Sequence, residues 1–262
     1  MELKGKAAIV TGGGTGIGAA TVKRLAGAGA NVVINYRSSA DAAEEVANAC
    51  RDMGVEAMTV QGDVSSDDDC RKIAQAALDK WGGIAALLNN AGTTRFVPHE
   101  DLDGLQMDDF QDLYATNVVG AYQMTRAVVP AMKSAGEGRI VNTSSIAGIM
   151  GNGSSLAYSA SKGALNALTL GLARALAPEI TVNAVCPALV MSDWLRDFSS
   201  EHAEKVKDDY EAIVPLGKVC TPDDIADSVM YLMTTPAPVT GELMVIDAGV
   251  RLGAKSPLAR KE

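Results

Sequence analysis

The sequence predicts an α/β fold: a doubly wound parallel sheet of about seven strands with helices on both faces. Three observations carry it. Short β-branched runs alternate with amphipathic helical stretches along the chain. A glycine-rich turn, "TGGGTGIG", joins the first run to the first helix. No linker, repeat or low-complexity segment divides the 262 residues, so a single domain over 1–262 is expected.

The elements follow in order. "AAIVT" (7–11) reads as a strand and leads into a helix from Ile17 to about Ala28. "NVVINY" (31–36) is the second strand, with a helix over about 40–53. "EAMTVQ" (56–61) precedes a helix over about 67–80, and "IAALLN" (84–89) precedes a long helix over about 109–133. Asn117 and Gly120 are poor helix formers and predict a local distortion in that long helix. "GRIVNTS" (138–144) is the fifth strand, followed by a helix over about 155–177. "ITVNAV" (180–185) is the sixth strand, and residues 188–215 read as an irregular segment with short helical pieces. "TPDDIADSVMYLM" opens a helix: Thr221 caps it, Pro222 suits its first turn, and Asp223 and Asp224 favour its positive end. "ELMVID" (242–247) closes the sheet as the seventh strand.

Composition narrows the function classes. Hydrophobic residues make up 47% of the chain, which is ample for a buried core. The net charge is −9 and no basic run occurs, so neither nucleic acid nor an anionic membrane surface is an expected partner. The four cysteines lack CxxC spacing and the histidines are only His99 and His202, so no metal site is expected and the cysteines read as reduced and structural. The start "MELKGKAAIVTGGG" has none of the marks of a signal peptide, and no apolar run reaches membrane-spanning length, so a cytoplasmic location is expected. The helices over about 113–132 and 155–177 carry few charges: Arg126 in the first, Lys162 and Arg174 in the second. Helices that poor in charge are buried nearly all round, which predicts a subunit interface there.

The chemistry sits in small motifs. The glycine turn fits Gly12-xxx-Gly16-x-Gly18 better than GxGxxG, whose last position would be Ile17. Such a turn cradles a pyrophosphate on backbone N–H groups at a helix N-terminus. "YSASK" places Tyr158 one helical turn before Lys162, on the same face. A nearby ammonium favours the phenolate and lowers the tyrosine pKa. The spacing alone is cheap, since Tyr122 and Arg126 repeat it.

In combination these motifs are specific. TGxxxGIG near the start and Tyr158-xxx-Lys162 downstream resemble the short-chain dehydrogenase/reductase family. "NNAG" (89–92) after the fourth strand, Asn117 in "YATNVVG", and "NTSS" (142–145) after the fifth strand match further marks of that family. Ser145 precedes Tyr158 by 13 residues, a spacing typical of it. The resemblance runs through "VTGELMVIDAG" and is nearest in pattern to 3-oxoacyl-(acyl-carrier-protein) reductases and glucose dehydrogenase-like members. It implies a single-domain Rossmann fold and hydride transfer between a nicotinamide and a carbonyl or alcohol carbon.

By that resemblance Tyr158 is the general acid in reduction and the base in oxidation. Lys162 lowers its pKa and holds the nicotinamide ribose. Ser145 hydrogen-bonds the substrate oxygen, and Asn117 holds a water that passes protons to Lys162. The cofactor would lie along Gly12, Gly14, Thr15, Gly16, Ile17 and Gly18, then Asp63 and Val64 at the adenine, and Asn90, Ala91 and Gly92 at the adenosine ribose. Pro187, Ala188, Val190 and Ser192 would flank the nicotinamide. Tyr36 occupies the usual acidic place, followed by Arg37, Ser38 and Ser39. A guanidinium and hydroxyls receive a 2′-phosphate, so NADP(H) is preferred over NAD(H). Two departures stand out: Ala188 and Ala248 occupy places where the family usually has glycine.

The substrate walls are expected at Thr94 to Phe96, Ile146, Asn152 to Leu156 and a lid over about 188–215 bearing Trp194, Phe198 and Tyr210. Expected partners are a small carbonyl or alcohol and further copies of the chain, as a homotetramer or dimer. Two alternatives stand beside this reading: an NAD(H)-dependent alcohol dehydrogenase of the same family, and a non-catalytic nucleotide sensor on the same fold. The joint presence of Ser145, Tyr158 and Lys162 argues against the sensor.

Overall fold

A computed structural model describes residues 1–191 and 200–253, with side chains from 204 onward in the second segment. Seven parallel strands form one sheet in the order β3-β2-β1-β4-β5-β6-β7. They are β1 (Ala7–Val10), β2 (Asn31–Tyr36), β3 (Ala57–Gln61), β4 (Ala86–Asn89), β5 (Gly138–Thr143), β6 (Ile180–Pro187) and β7 (Leu243–Ile246). The helices are α1 (Gly16–Gly27), α2 (Ala40–Asp52), α3 (Asp67–Trp81), α4 (Met107–Tyr114), α5 (Ala121–Ala135), α6 (Ala147–Met150), α7 (Leu156–Leu176), α8 (Ser200–Ile213) and α9 (Pro222–Thr234).

Strand residues alternate between two cores because successive side chains leave a strand on opposite faces. Val10, Val32, Ile34 and Leu88 face α1, α2 and α9, where Leu25, Val46 and Ile225 meet them. Ile9, Val33, Leu87 and Ile140 face α3 and α5, where Ile73, Met124 and Met132 meet them. Each such aliphatic side chain withdrawn from water contributes about 1.5–3 kcal/mol. Both faces of the sheet are therefore covered, as expected for a parallel sheet.

The expected cap of α9 is present: Thr221 Oγ1 accepts the Asp224 N–H at 3.2 Å, and Asp224 Oδ2 accepts the Thr221 N–H at 2.9 Å. Two expectations need correction. The long helix over about 109–133 is three pieces, α4, a π-helical segment at Ala115–Gly120, and α5. The distortion lies at Asn117 and Gly120, where a side chain on Gly120 would come within 2.7 Å of Val64. Residues 188–215 contain one 14-residue helix, α8, and not only short pieces. Its apolar Val206, Tyr210 and Ile213 recur at helical spacing between charged residues, and Lys207 lies 3.8 Å from Glu204 and 4.0 Å from Glu211.

The order of the sheet sets the site. β1 pairs with β2 on one side and with β4 on the other, so the chain reverses its direction of winding there. The loops after β1 and β4 part at that point and open a crevice beyond the strand ends.

Candidate active site

That crevice is a cavity of 1210 Å³ running from the ends of β2 and β3 to the N-terminal part of α7. It gathers residues far apart in sequence. Gly12, Gly14, Thr15, Gly16 and Ile17 line it, as do Tyr36, Arg37 and Ser38, Asp63 and Val64, and Asn90, Ala91 and Gly92. Ser145, Tyr158 and Lys162 line its other end, with Pro187, Ala188 and Val190. Gly18 and Asn117 are not in its wall. Ser192, Trp194 and Phe198 lie outside the described residues.

The glycine turn has the shape its composition implies. Gly12 and Gly16 have φ of 60° and 52°, where a side chain is strained. A Cβ on Gly18 would fall 2.2 Å from the Gly12 carbonyl oxygen, so the turn closes on α1 only if that residue is glycine. Thr15, at the N-cap of α1, makes no side-chain capping bond. The first N–H groups of α1 thus lack a side-chain cap at the cavity, which suits a bound phosphate. These features fit a dinucleotide.

Thr11 and Asn35, to which the motifs assigned no role, hold this end together, and Ser155 serves the other end. Thr11 Oγ1 accepts the N–H groups of Asn90 and Ala91, both at 2.9 Å. Asn90 Nδ2 donates back to the Thr11 and Gly12 carbonyls, each at 3.1 Å. Asn35 Nδ2 donates to Gly62 O at 2.9 Å, and its Oδ1 accepts the Gly12 N–H at 3.4 Å. Ser155 caps α7 by accepting the Tyr158 N–H at 3.2 Å. A serine shortly before "LAYSASK" was the available signal for that cap.

Arg37 extends from the end of β2 and its Nη1 lies 3.7 Å from Asp63 Oδ2. The guanidinium side chain is 66% exposed, so the pair is weak and easily opened. Burial works to raise the Asp63 pKa, but hydrogen bonds from Ser65 and the charge of Arg37 hold it below its usual value.

At the other end, the Tyr158 and Ser145 side chains lie near enough for the serine hydroxyl to favour the phenolate. Burial pushes the phenol up to about 12, against the pull of Ser145. Burial also pushes the Lys162 ammonium down to about 8. Lys162 is not among the influences on the Tyr158 phenol, so the lowering expected from it is not seen. Lys162 Nζ donates to the Thr143 carbonyl at 2.8 Å and lies 5.6 Å from the centre of the Tyr158 ring. Asn117 is buried behind the wall. Its Oδ1 accepts the Thr93 N–H at 2.8 Å, and its Nδ2 donates to Thr93 O and Ser161 Oγ, each at 3.0 Å. These bonds secure the loop after β4.

The expected substrate walls are partly met: Phe96, Ile146, Asn152, Gly153, Ser154, Leu189 and Tyr210 line the cavity, while Thr94, Arg95, Ser155 and Leu156 do not. Arg95 is paired with Asp109 and Arg126 with Asp67, so both guanidiniums are engaged. Ala188 keeps a negative φ, and Ala248 bears the departure instead, with φ of 51°. Among the described residues, no group of three or more His, Cys, Asp or Glu is placed to hold a metal, and all four cysteines are free and buried.

Known proteins share this arrangement. The family model described as short chain dehydrogenase matches residues 6–203. A 3-oxoacyl-(acyl-carrier-protein) reductase of Synechocystis is 34% identical over 251 residues, covering 95% of this chain and 98% of its own. A reductase of the same name from Staphylococcus epidermidis is 33% identical and covers 94% and 98%. The structure of NAD+-bound xylitol dehydrogenase superposes with a TM-score of 0.85 at 32% identity, over 94% of this chain and 99% of that one. A glycine turn at one end of a switch-point crevice, a Ser, Tyr and Lys at the other, and near full-length matches together place this chain in the short-chain dehydrogenase family, as an NAD(P)-dependent oxidoreductase acting on C=O or CH–OH groups.

Proposed function

We propose that the chain is an NADP(H)-preferring carbonyl reductase/alcohol dehydrogenase in which Tyr158 is the general acid/base. The supporting observation is that Ser145, Tyr158 and Lys162 share one wall of the cavity, with the Ser145 hydroxyl acting on the Tyr158 phenol. When bound, the nicotinamide supplies or accepts the hydride. The chain's own residues handle the proton. Ser145 donates a hydrogen bond to the substrate oxygen and orients it. Tyr158, kept in its acid form by burial, gives its proton to that oxygen in reduction and takes it back in oxidation. Lys162 would hold the ribose hydroxyls and stabilise the phenolate once it forms.

Glycine turn residues would hold the pyrophosphate, Asp63 and Val64 the adenine, and Asn90 to Gly92 the adenosine ribose. Pro187, Ala188, Val190 and Ser192 would flank the nicotinamide. Asn117 would hold a water that passes protons to Lys162. Residues 188–215 would cover the substrate, with Tyr210 of α8 at the cavity wall. Exposed Tyr114, Val119, Tyr122 and Leu170 on the π segment, α4, α5 and α7 favour assembly as a homotetramer or dimer through those helices. A cytoplasmic location is part of this proposal; no described helix is long and apolar enough to cross a membrane.

The test is a screen of 3-oxoesters, ketones and polyols with both nicotinamides, beside Tyr158→Phe. That substitution should lower kcat by about 100- to 10,000-fold while NADPH still binds. Undiminished turnover would remove Tyr158 from the chemistry.

A second reading, preference for NAD(H), draws on the Arg37–Asp63 pair and on the likeness to a xylitol dehydrogenase bound to NAD+. Arg37→Ala separates the two. If Arg37 meets the 2′-phosphate, KM for NADPH rises about tenfold or more and KM for NADH hardly moves. Equal effects on both would favour the second reading.

A further inference from the structure

Three consecutive segments must agree for two hydroxyls to meet one substrate oxygen. Ser145 follows β5, α6 comes next, and Tyr158 and Lys162 stand on α7. Asn166 lies one helical turn beyond Lys162 on the same face, and is 6% exposed. It is absent from the cavity wall, so it touches neither substrate nor cofactor there. Its side chain instead reaches all three segments. Oδ1 accepts the Ser144 hydroxyl at 2.6 Å, immediately beside Ser145. Nδ2 donates to Gly148 O in α6 at 3.2 Å. Gly148 in turn lies flat on α7: a Cβ there would sit 2.4 Å from the Lys162 carbonyl carbon.

We propose that Asn166 is a positioning residue that, through Ser144 and Gly148, holds the end of β5 in register with α7 so that Ser145 and Tyr158 share one substrate oxygen. The proposal rests on the reading of Tyr158 as acid/base. Other polar links join β5 to α7, and none can take this role. Lys162 Nζ to Thr143 O, 2.8 Å, ties the strand end to the tip of a long flexible side chain and leaves the helix backbone free to slide. Asn142 to Thr169, 2.9 Å, lies seven residues beyond Lys162, about 10 Å along the helix axis. Ser144 Oγ also lies 3.3 Å from Lys162 O, but its single proton serves the shorter bond to Asn166. Replacing this buried amide by an apolar side chain removes the Gly148 carbonyl's side-chain donor and turns the Ser144 hydroxyl to the longer Lys162 O contact, so the segments shift.

The test compares Asn166→Leu, Ser144→Ala and the double variant, with Tyr158→Phe in parallel. Binding is read by titration with NADPH alone, turnover with ethyl acetoacetate, and the reverse reaction with ethyl 3-hydroxybutyrate across pH. Each single substitution should lower kcat by about 10- to 100-fold, with NADPH affinity changed less than about twofold. The double variant should be no worse than the poorer single one, because both remove the same bond. The acid limb of the oxidation profile should move to higher pH, since Tyr158 loses the aid of a well-placed Ser145. Wild-type kcat and pH profile in the folded single variants would overturn the proposal, even with a lowered Tm. Additive losses in the double variant would also overturn it. If Tyr158→Phe keeps full turnover, the acid/base reading fails instead, and the coupling of Ser144 to Asn166 is still read from kcat.

Discussion

Lys162 carries a charge that its surroundings resist. Buried against the end of β5, its ammonium has a pKa pushed down to about 8, so in the free protein it is charged below that pH and neutral above it. The charged form is the one that would donate to ribose hydroxyls. NADPH affinity should therefore be constant from about pH 6.5 to about pH 7.5 and weaken progressively above about pH 8. Fluorescence titration of the free protein measures this, and Lys162→Met should bind more weakly with no such pH dependence. A flat profile in the wild type would remove Lys162 from the cofactor site. The spacing of Tyr158 and Lys162 placed both side chains on one helix face, and both line the cavity. It could not tell that the Thr143 carbonyl would be the nearer partner, because that oxygen arrives from another strand. Residue types alone likewise hid Asn166, whose amide acquires a role only when Ser144 and Gly148 are brought to it.

Among the elements, the glycine turn was the most legible. Its three matched glycines have separate reasons: positive φ at Gly12 and Gly16, and closeness to the Gly12 carbonyl at Gly18. Gly18→Ala should lower Tm by several degrees and NADPH affinity by about tenfold or more, because the 2.2 Å approach forces the turn to move. Gly27, in the last turn of the same helix, is the control, since a Cβ there meets nothing within 4 Å. Gly27→Ala should raise stability by about 0.5–1 kcal/mol, read as a higher Tm. If Gly18→Ala behaved like Gly27→Ala, the turn would not need its glycine there. The π segment was legible only as a weak point. Poor helix formers mark where a helix gives way, but the packing of Val64 against Gly120 decides the form it takes. Helix α8 was missed because its few apolar residues are diluted by charges that stabilise it at i,i+4 spacing.

For the whole molecule, the charge-poor helices were expected to be buried nearly all round. In a single chain they are not. Tyr114, Tyr122 and Leu170 are 47%, 43% and 45% exposed, on helices whose other faces fill a core. Apolar surface of this kind on three helices is stable in water when a second copy covers it. Light scattering at micromolar concentration should show a tetramer or dimer, and Tyr122→Glu should shift it toward smaller species. A wild-type monomer would refute the interface.

The sequence by itself determined the seven strands, their parallel winding and the glycine turn, because these depend on local periodicity and on backbone freedom at single residues. It also named many, though not all, of the residues that gather in the cavity, since their order along the chain is carried by the strands that precede them. Tertiary structure alone decided how those residues are poised. Burial sets the Tyr158 phenol at about 12 and the Lys162 ammonium at about 8, and burial is a property of neighbours brought from distant segments. The same holds for the Arg37–Asp63 pair, the bonds of Asn117 to Thr93, and the bond from Ser144 to Asn166. A motif specifies which groups meet at a site. Only the fold specifies which partner each polar atom has there, because hydrogen bonds act over about 3 Å and chain neighbours rarely supply them.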